Sequence, residues 1–71
     1  MCIDKTLLSL RERKILCMMA KNHTNIEISK ELFLSESTVK FSVRKILEKL
    51  SANGRVHAAV IGYKYGIIDI D

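Results

Sequence analysis

The sequence contains no proline and only three glycines among its 71 residues, so few positions interrupt a helix or require a special turn. We therefore expect a mostly helical chain with short connections. The longest apolar run is far shorter than the ~18 residues that a membrane-spanning helix needs, and no signal peptide is visible. Neither a membrane span nor a secreted product is expected.

Residues that could form a disulfide, a metal site or a catalytic site are also few. The two cysteines, Cys2 and Cys17, are too far from other potential ligands to indicate a disulfide framework or a zinc site, and they fit a reducing cytoplasm. His23 and His57 lack ligand spacing and are interpreted as surface or capping residues. No nucleophile–base pair, paired carboxylates or glycine-rich phosphate loop is present. We expect no enzyme activity, metal, cofactor or small-molecule ligand.

The charged residues that are present lie unevenly along the chain. The net charge is +4, but the segment from Arg11 to Arg55 contains ten Lys and Arg against five Glu, whereas the two ends together are slightly acidic. With 48% hydrophobic residues, the chain can bury the core of one small domain. A basic middle segment permits nucleic acid as a partner.

The segment from Ser35 to Leu50 lies within this basic region and has the period of an amphipathic helix. One side of that helix is apolar and contains Val39, Val43, Ile46 and Leu50. The opposite side contains Ser37, Phe41, Arg44 and Glu48, with Lys40 and Lys45 on its flanks. An exposed Phe between cations is unfavourable unless a partner covers it, and DNA is the expected partner.

Capping signals predict the limits of the other helices. Ser9 with Glu12, and Thr24 with Glu27, match the capping box at the start of a helix. Ser35 is a good N-cap for the amphipathic helix. The helices are expected at about 9–21, 25–33, 36–50 and 55–65, between a flexible arm at 1–8 and a tail at 69–71.

The fourth predicted helix is apolar on two faces. One face contains Val56, Ala59, Val60 and Tyr63, and the other contains Ala58, Ile61 and Tyr65. In so small a domain, one such face usually packs on the domain's own core and the other on a partner. The sequence leaves open which face does which.

Many spaced positions together resemble one family. They are Leu8-Ser9-x-Arg11-Glu12-Arg13, Ala20, Asn25-x-Glu27-Ile28, Leu32-x-Leu34-Ser35, Thr38-Val39-Lys40, Ile46-x-x-Lys49-Leu50, Arg55 and Ala58. This pattern resembles the LuxR/GerE-type helix-turn-helix, which is also the output domain of NarL-type response regulators. The resemblance runs from about Leu7 to Ile68, which is nearly the whole chain.

The resemblance implies an all-α, four-helix DNA-binding domain over residues 9–68 and a role in transcription. It implies that the third helix enters the major groove, that the fourth forms a dimer, and that Glu12 is a structural anchor. By position, the base-contacting candidates are Lys40, Phe41 and Arg44. The phosphate-contacting candidates are Thr24, Asn25, Ser37, Thr38, Lys45 and Lys49. The dimer candidates are Val56, Ala59, Val60 and Tyr63.

We therefore expect a cytoplasmic, nucleoid-associated bacterial regulator. It would bind double-stranded DNA as a homodimer, on half-sites about one helical turn apart. The alternative is a protein-interaction module that sequesters another regulator through Phe33, Phe41 and the fourth helix. Both a stand-alone regulator and an excised output domain remain open.

Overall fold

The computed structural model describes residues 8–68, and within them it contains four α-helices and no strand. The helices are α1 (Leu10–Ala20), α2 (Asn25–Leu32), α3 (Glu36–Leu50) and α4 (Arg55–Lys64). The predicted all-α class is confirmed, and none of these four helices is long and apolar enough to cross a membrane. The expected tail at 69–71 and the arm up to residue 7 lie outside the described residues. Leu8, which the sequence assigned to the arm, is instead buried in the core.

Reciprocal hydrogen bonds fix the starts of α1 and α2. The N–H of Glu12 donates to Ser9 Oγ at 3.2 Å, and the N–H of Ser9 donates to Glu12 Oε1 at 2.8 Å. The same arrangement joins Thr24 and Glu27, at 3.1 and 2.8 Å. Both predicted capping boxes are confirmed. Each N-cap typically stabilises its helix by about 1 kcal/mol.

A three-residue turn joins α2 to α3. Phe33 follows α2 in the left-handed conformation, with φ 56° and ψ 42°. The N–H of Leu34 donates back to the carbonyl of Ser29 at 2.9 Å, which closes the end of α2. Ser35 then accepts the N–H of Thr38 at 3.1 Å and starts α3. Together α2, the turn and α3 form a helix-turn-helix.

The core lies where α3 crosses the other three helices, each of which packs against it. Fully buried side chains come from all four helices: Ile15, Leu16, Ile28, Val39, Ile46 and Ala58. Gly62 lets α4 approach α1 closely, because a Cβ at this position would lie 2.8 Å from Leu16 Cδ2. Ile67 and Ile68, which follow α4, are buried in the core, while Ile70 lies outside the described residues. One side of α3 is thus packed against the other three helices.

Candidate nucleic-acid interface

The two sides of α3 differ sharply in exposure. Val39, Val43, Ile46 and Leu50 are buried, as predicted, and so is Ser42, which the sequence analysis did not assign. The opposite side is exposed and consists of Ser37, Lys40, Phe41, Arg44, Lys45 and Glu48. This outward surface of α3 is the candidate interface. It contains three cations and one aromatic ring within six consecutive residues.

The three base-contacting candidates lie together on this surface. Lys40 Nζ is 3.5 Å from Glu36 Oε1, but both side chains are exposed, so the pair is weak and the ammonium remains available. Arg44 has no ion-pair partner among residues 8–68. Phe41 is 60% exposed, and Lys45 Nζ lies 5.4 Å from its ring centroid. This cation–π contact stabilises Phe41 between its charged neighbours.

The neutral phosphate-contacting candidates lie at the starts of α2 and α3. Thr24 Oγ1 accepts the N–H of Glu27, and the same hydroxyl interacts with the Glu27 carboxylate. Thr38 Oγ1 is 2.8 Å from Ser35 Oγ, and Ser37 is exposed beside it. Unpaired N–H groups and the positive end of the helix dipole favour an anion at each start.

Glu27 places a negative charge at the start of α2. The N–H of Thr24, which donates to the Glu27 carboxylate, lowers the pKa of this side chain, and the nearby hydroxyl and His23 lower it further. The carboxylate is therefore ionised at neutral pH and offsets part of the positive potential at this helix end. An anion at this helix end would have to be bound by directed hydrogen-bond donors more than by net charge.

Lys49 joins the end of α3 to the start of α1. Its Nζ donates to Glu12 Oε1 at 2.9 Å, and the two side chains are 37% and 11% exposed. Burial raises the pKa of Glu12, but hydrogen bonds from Lys49 and from the Ser9 N–H outweigh that effect and leave the pKa below its ordinary value. Glu12 is the buried acidic anchor that the resemblance implied. Its partner, 37 residues away, was not predicted.

Arg55 makes a second long-range connection. Its Nη1 donates to Asn25 Oδ1 at 2.9 Å, and its Nη2 donates to the carbonyl oxygen of His23 at 2.7 Å. The first residue of α4 is thereby attached to the loop before α2 and to the first residue of α2. The sequence analysis assigned no role to Arg55 beyond its place in the family pattern, because nothing local indicates this contact.

His57 lies exposed in the first turn of α4. The N-cap of this helix, Gly54, receives no side-chain capping hydrogen bond, and His57 Nδ1 accepts the N–H of Asn53, the residue before the N-cap, at 3.0 Å. Of the two positions expected for this histidine, the structure shows the surface one. Within residues 8–68, no three His, Cys, Asp or Glu side chains are grouped so that they could hold a metal ion.

The structure decides which face of α4 is buried. Ala58 and Gly62 pack inward, whereas Val56, Val60 and Tyr63 are 80%, 56% and 60% exposed. Ala59 lies between the two faces and is half-buried. A groove of about 740 Å³ runs along these residues and the end of α1. All four dimer candidates line this groove.

Comparison with known proteins gives consistent matches. Residues 6–61 match the family model described as bacterial regulatory proteins, luxR family. The transcriptional regulatory protein LiaR of Bacillus subtilis is 40% identical over 62 residues, which cover 87% of this chain and 29% of LiaR. The transcriptional activator protein SolR of Ralstonia solanacearum is 40% identical over 65 residues, covering 92% of this chain and 28% of SolR.

A relative of similar length also matches. The spore germination protein GerE of Bacillus subtilis is 35% identical over 67 residues, which cover 94% of this chain and 90% of GerE. The chain therefore spans less than a third of LiaR and SolR but nearly all of GerE.

Proposed function

The chain belongs to the luxR family of bacterial regulatory proteins, and from this membership we propose that it regulates transcription by binding specific sites in duplex DNA with α3 in the major groove. The observation that carries the proposal is the division of α3. One side is buried against three helices, and the other is a continuous exposed surface of cations around Phe41. The proposed role is binding and not catalysis.

In this proposal, Lys40, Phe41 and Arg44 contact bases. Lys and Arg donate to N7 and O6 of guanine, and these two are one helical turn apart, so they can reach neighbouring base pairs. Phe41 offers no hydrogen bond, but its exposed ring can contact the methyl group of a thymine. Base contacts of this kind provide sequence preference.

Phosphate contacts fix the register of α3 on the DNA without reading sequence. We assign them to two groups of residues. The first lies at the starts of α2 and α3 and consists of Thr24, Asn25, Ser37 and Thr38. The second consists of the α3 lysines Lys45 and Lys49. Lys49 uses one of its three N–H donors for Glu12 and keeps two for a phosphate. The DNA backbone would therefore contact two helix starts and one helix side.

The proposed active form is a homodimer joined through α4. The groove is lined by Val56, Ala59, Val60 and Tyr63, and three of these side chains are more than half exposed, so a second copy could cover them. A two-fold contact between these faces would present two α3 helices to half-sites about one helical turn apart. The proposal assigns the protein to the bacterial cytoplasm, on the nucleoid.

Phe33 favours a second candidate function, in which the domain sequesters another regulator through Phe33, Phe41 and α4. Phe33 is 95% exposed and adopts a left-handed conformation that suits glycine. Neither burial nor backbone geometry accounts for a phenylalanine there, whereas a protein contact would.

Salt dependence of DNA binding separates the two candidates. A preferred duplex is first selected from a random pool, and its affinity is then measured at several salt concentrations. Each copy has two lysines that are proposed to contact phosphates. A plot of the logarithm of the binding constant against the logarithm of the salt concentration should therefore have a slope of about −4 or steeper for a bound dimer. A flat slope, or no binding at low salt, would refute the DNA proposal and favour sequestration of a protein.

A further inference from the structure

Arg55 holds the first residue of α2 from a distant helix. Its two terminal nitrogens donate to Asn25 Oδ1 and to the His23 carbonyl, at 2.9 and 2.7 Å. Both contacts are partly buried and join residues at least 30 positions apart. The planar guanidinium matches two acceptors at once, so it fixes both the loop before α2 and the Asn25 side chain.

This contact determines which way the Asn25 amide points. A guanidinium only donates hydrogen bonds, so the amide atom that faces Arg55 must be the oxygen. The NH₂ group of the same amide therefore points away from Arg55. Among residues 8–68, no group accepts a hydrogen bond from this NH₂, so both of its protons are available at the surface.

The orientation of the Asn25 amide matters because the charge at the start of α2 is unfavourable to anions. Asn25 begins α2, whose first N–H groups are free to bind an anion. The ionised Glu27 carboxylate at the same helix end repels that anion. A correctly oriented NH₂ adds a donor, whereas a flipped amide would present its oxygen to the phosphate.

We propose that Arg55 is a positioning residue for DNA binding, which holds the Asn25 amide with its NH₂ toward a backbone phosphate. The inference rests on the proposed function, in which Asn25 contacts a phosphate, and it adds the residue that makes this contact directional. Arg55 itself does not touch the phosphate and acts through Asn25.

The first test is Asn25→Asp. Aspartate keeps an oxygen for Arg55, gains an ion pair with it and suits the first turn of a helix, so thermal stability should be equal or higher. The outward NH₂ becomes a carboxylate oxygen, so affinity for the selected duplex should fall by about ten-fold or more. Affinity within about two-fold of wild type would overturn the proposal.

The second test asks whether Arg55 acts through Asn25. Arg55→Lys keeps the charge but loses the two-pronged contact, and should weaken binding by about three-fold or more. In an Asn25→Ala background the same substitution should have no further effect. Equal effects in both backgrounds would show that Arg55 acts independently of Asn25 and would overturn the proposed role. Arg11→Lys, an exposed change on α1, is the matched control and should leave affinity unchanged.

The outcomes distinguish this inference from the proposed function. If the wild-type protein does not bind duplex DNA at low salt, both fail. If it binds with a steep salt slope but Asn25→Asp has no effect, the phosphate contact of Asn25 and with it the role of Arg55 are refuted, while DNA binding through α3 stands. If Arg55→Lys does not fold, the Asn25→Asp result still decides, because that variant retains the contact with Arg55.

Discussion

Replacing Lys49 by Met should reduce stability much more than replacing a lysine that makes a similar but exposed pair. The change removes the donor to Glu12, whose side chain is 11% exposed, and leaves that carboxylate with the Ser9 N–H. Hydrogen bonds to charged groups typically contribute about 1.5–3 kcal/mol. Lys49 is itself 37% exposed, so water replaces part of the contact in the variant. We expect the free energy of unfolding to fall by about 1.5–2.5 kcal/mol at pH 7.

The effect of Lys49→Met should also depend on pH. The pKa of Glu12 in the folded protein lies below its ordinary value, so this carboxylate stabilises the fold at pH values above its unfolded-state pKa. That contribution is lost as the pH falls through the folded-state pKa. The stability difference between wild type and Lys49→Met should therefore be full at neutral pH and should shrink once Glu12 is protonated.

Urea unfolding followed by far-UV circular dichroism, at neutral and at acidic pH, measures both effects. The matched control is Lys40→Met on the same helix, because Lys40 and Glu36 form a pair that is 64% and 46% exposed. That control should change stability by less than about 0.5 kcal/mol. Equal losses in the two variants, or a Lys49→Met loss that persists in acid, would refute the reasoning.

Three further substitutions test other parts of the molecule. Arg44→Ala should reduce affinity for the selected duplex by about 1–3 kcal/mol and reduce its preference over random DNA in competition binding, whereas equal losses on both would make Arg44 a phosphate contact. Val60→Asp places a charge on the exposed face of α4, so sedimentation should report a monomer with weakened binding to the two-fold site. An unchanged mass would contradict the α4 dimer. Phe33→Gly should raise the free energy of unfolding by about 1 kcal/mol in urea, because it relieves a left-handed conformation without removing a buried side chain. A loss of stability would show that the Phe33 side chain supports the fold.

Much of the candidate interface could be predicted because it depends on short-range patterns. The buried side of α3 follows from the helical spacing of Val39, Val43, Ile46 and Leu50, and its exposed side follows from the same period. The assignment of individual residues to bases or phosphates rests on family position, and it stays a prediction. No local pattern distinguishes a base contact from a phosphate contact.

The groups that support the interface could not be predicted in the same way. The pairing of Lys49 with Glu12 and of Arg55 with Asn25 depends on how distant segments meet. In the sequence, Lys49 cannot be distinguished from an ordinary solvated lysine, because its partner Glu12 is 37 residues away. Such contacts are consequences of the assembled core.

The sequence by itself determined the helices and their inner faces. Capping boxes act over three residues and hydrophobic periods over a few turns, so these features need no distant partner. Only the tertiary structure decided which face of α4 stays open and which polar groups hold α2 and α3. The physical reason is that α4 is apolar on both faces, and only its close approach to α1 at Gly62 selects the one that is buried.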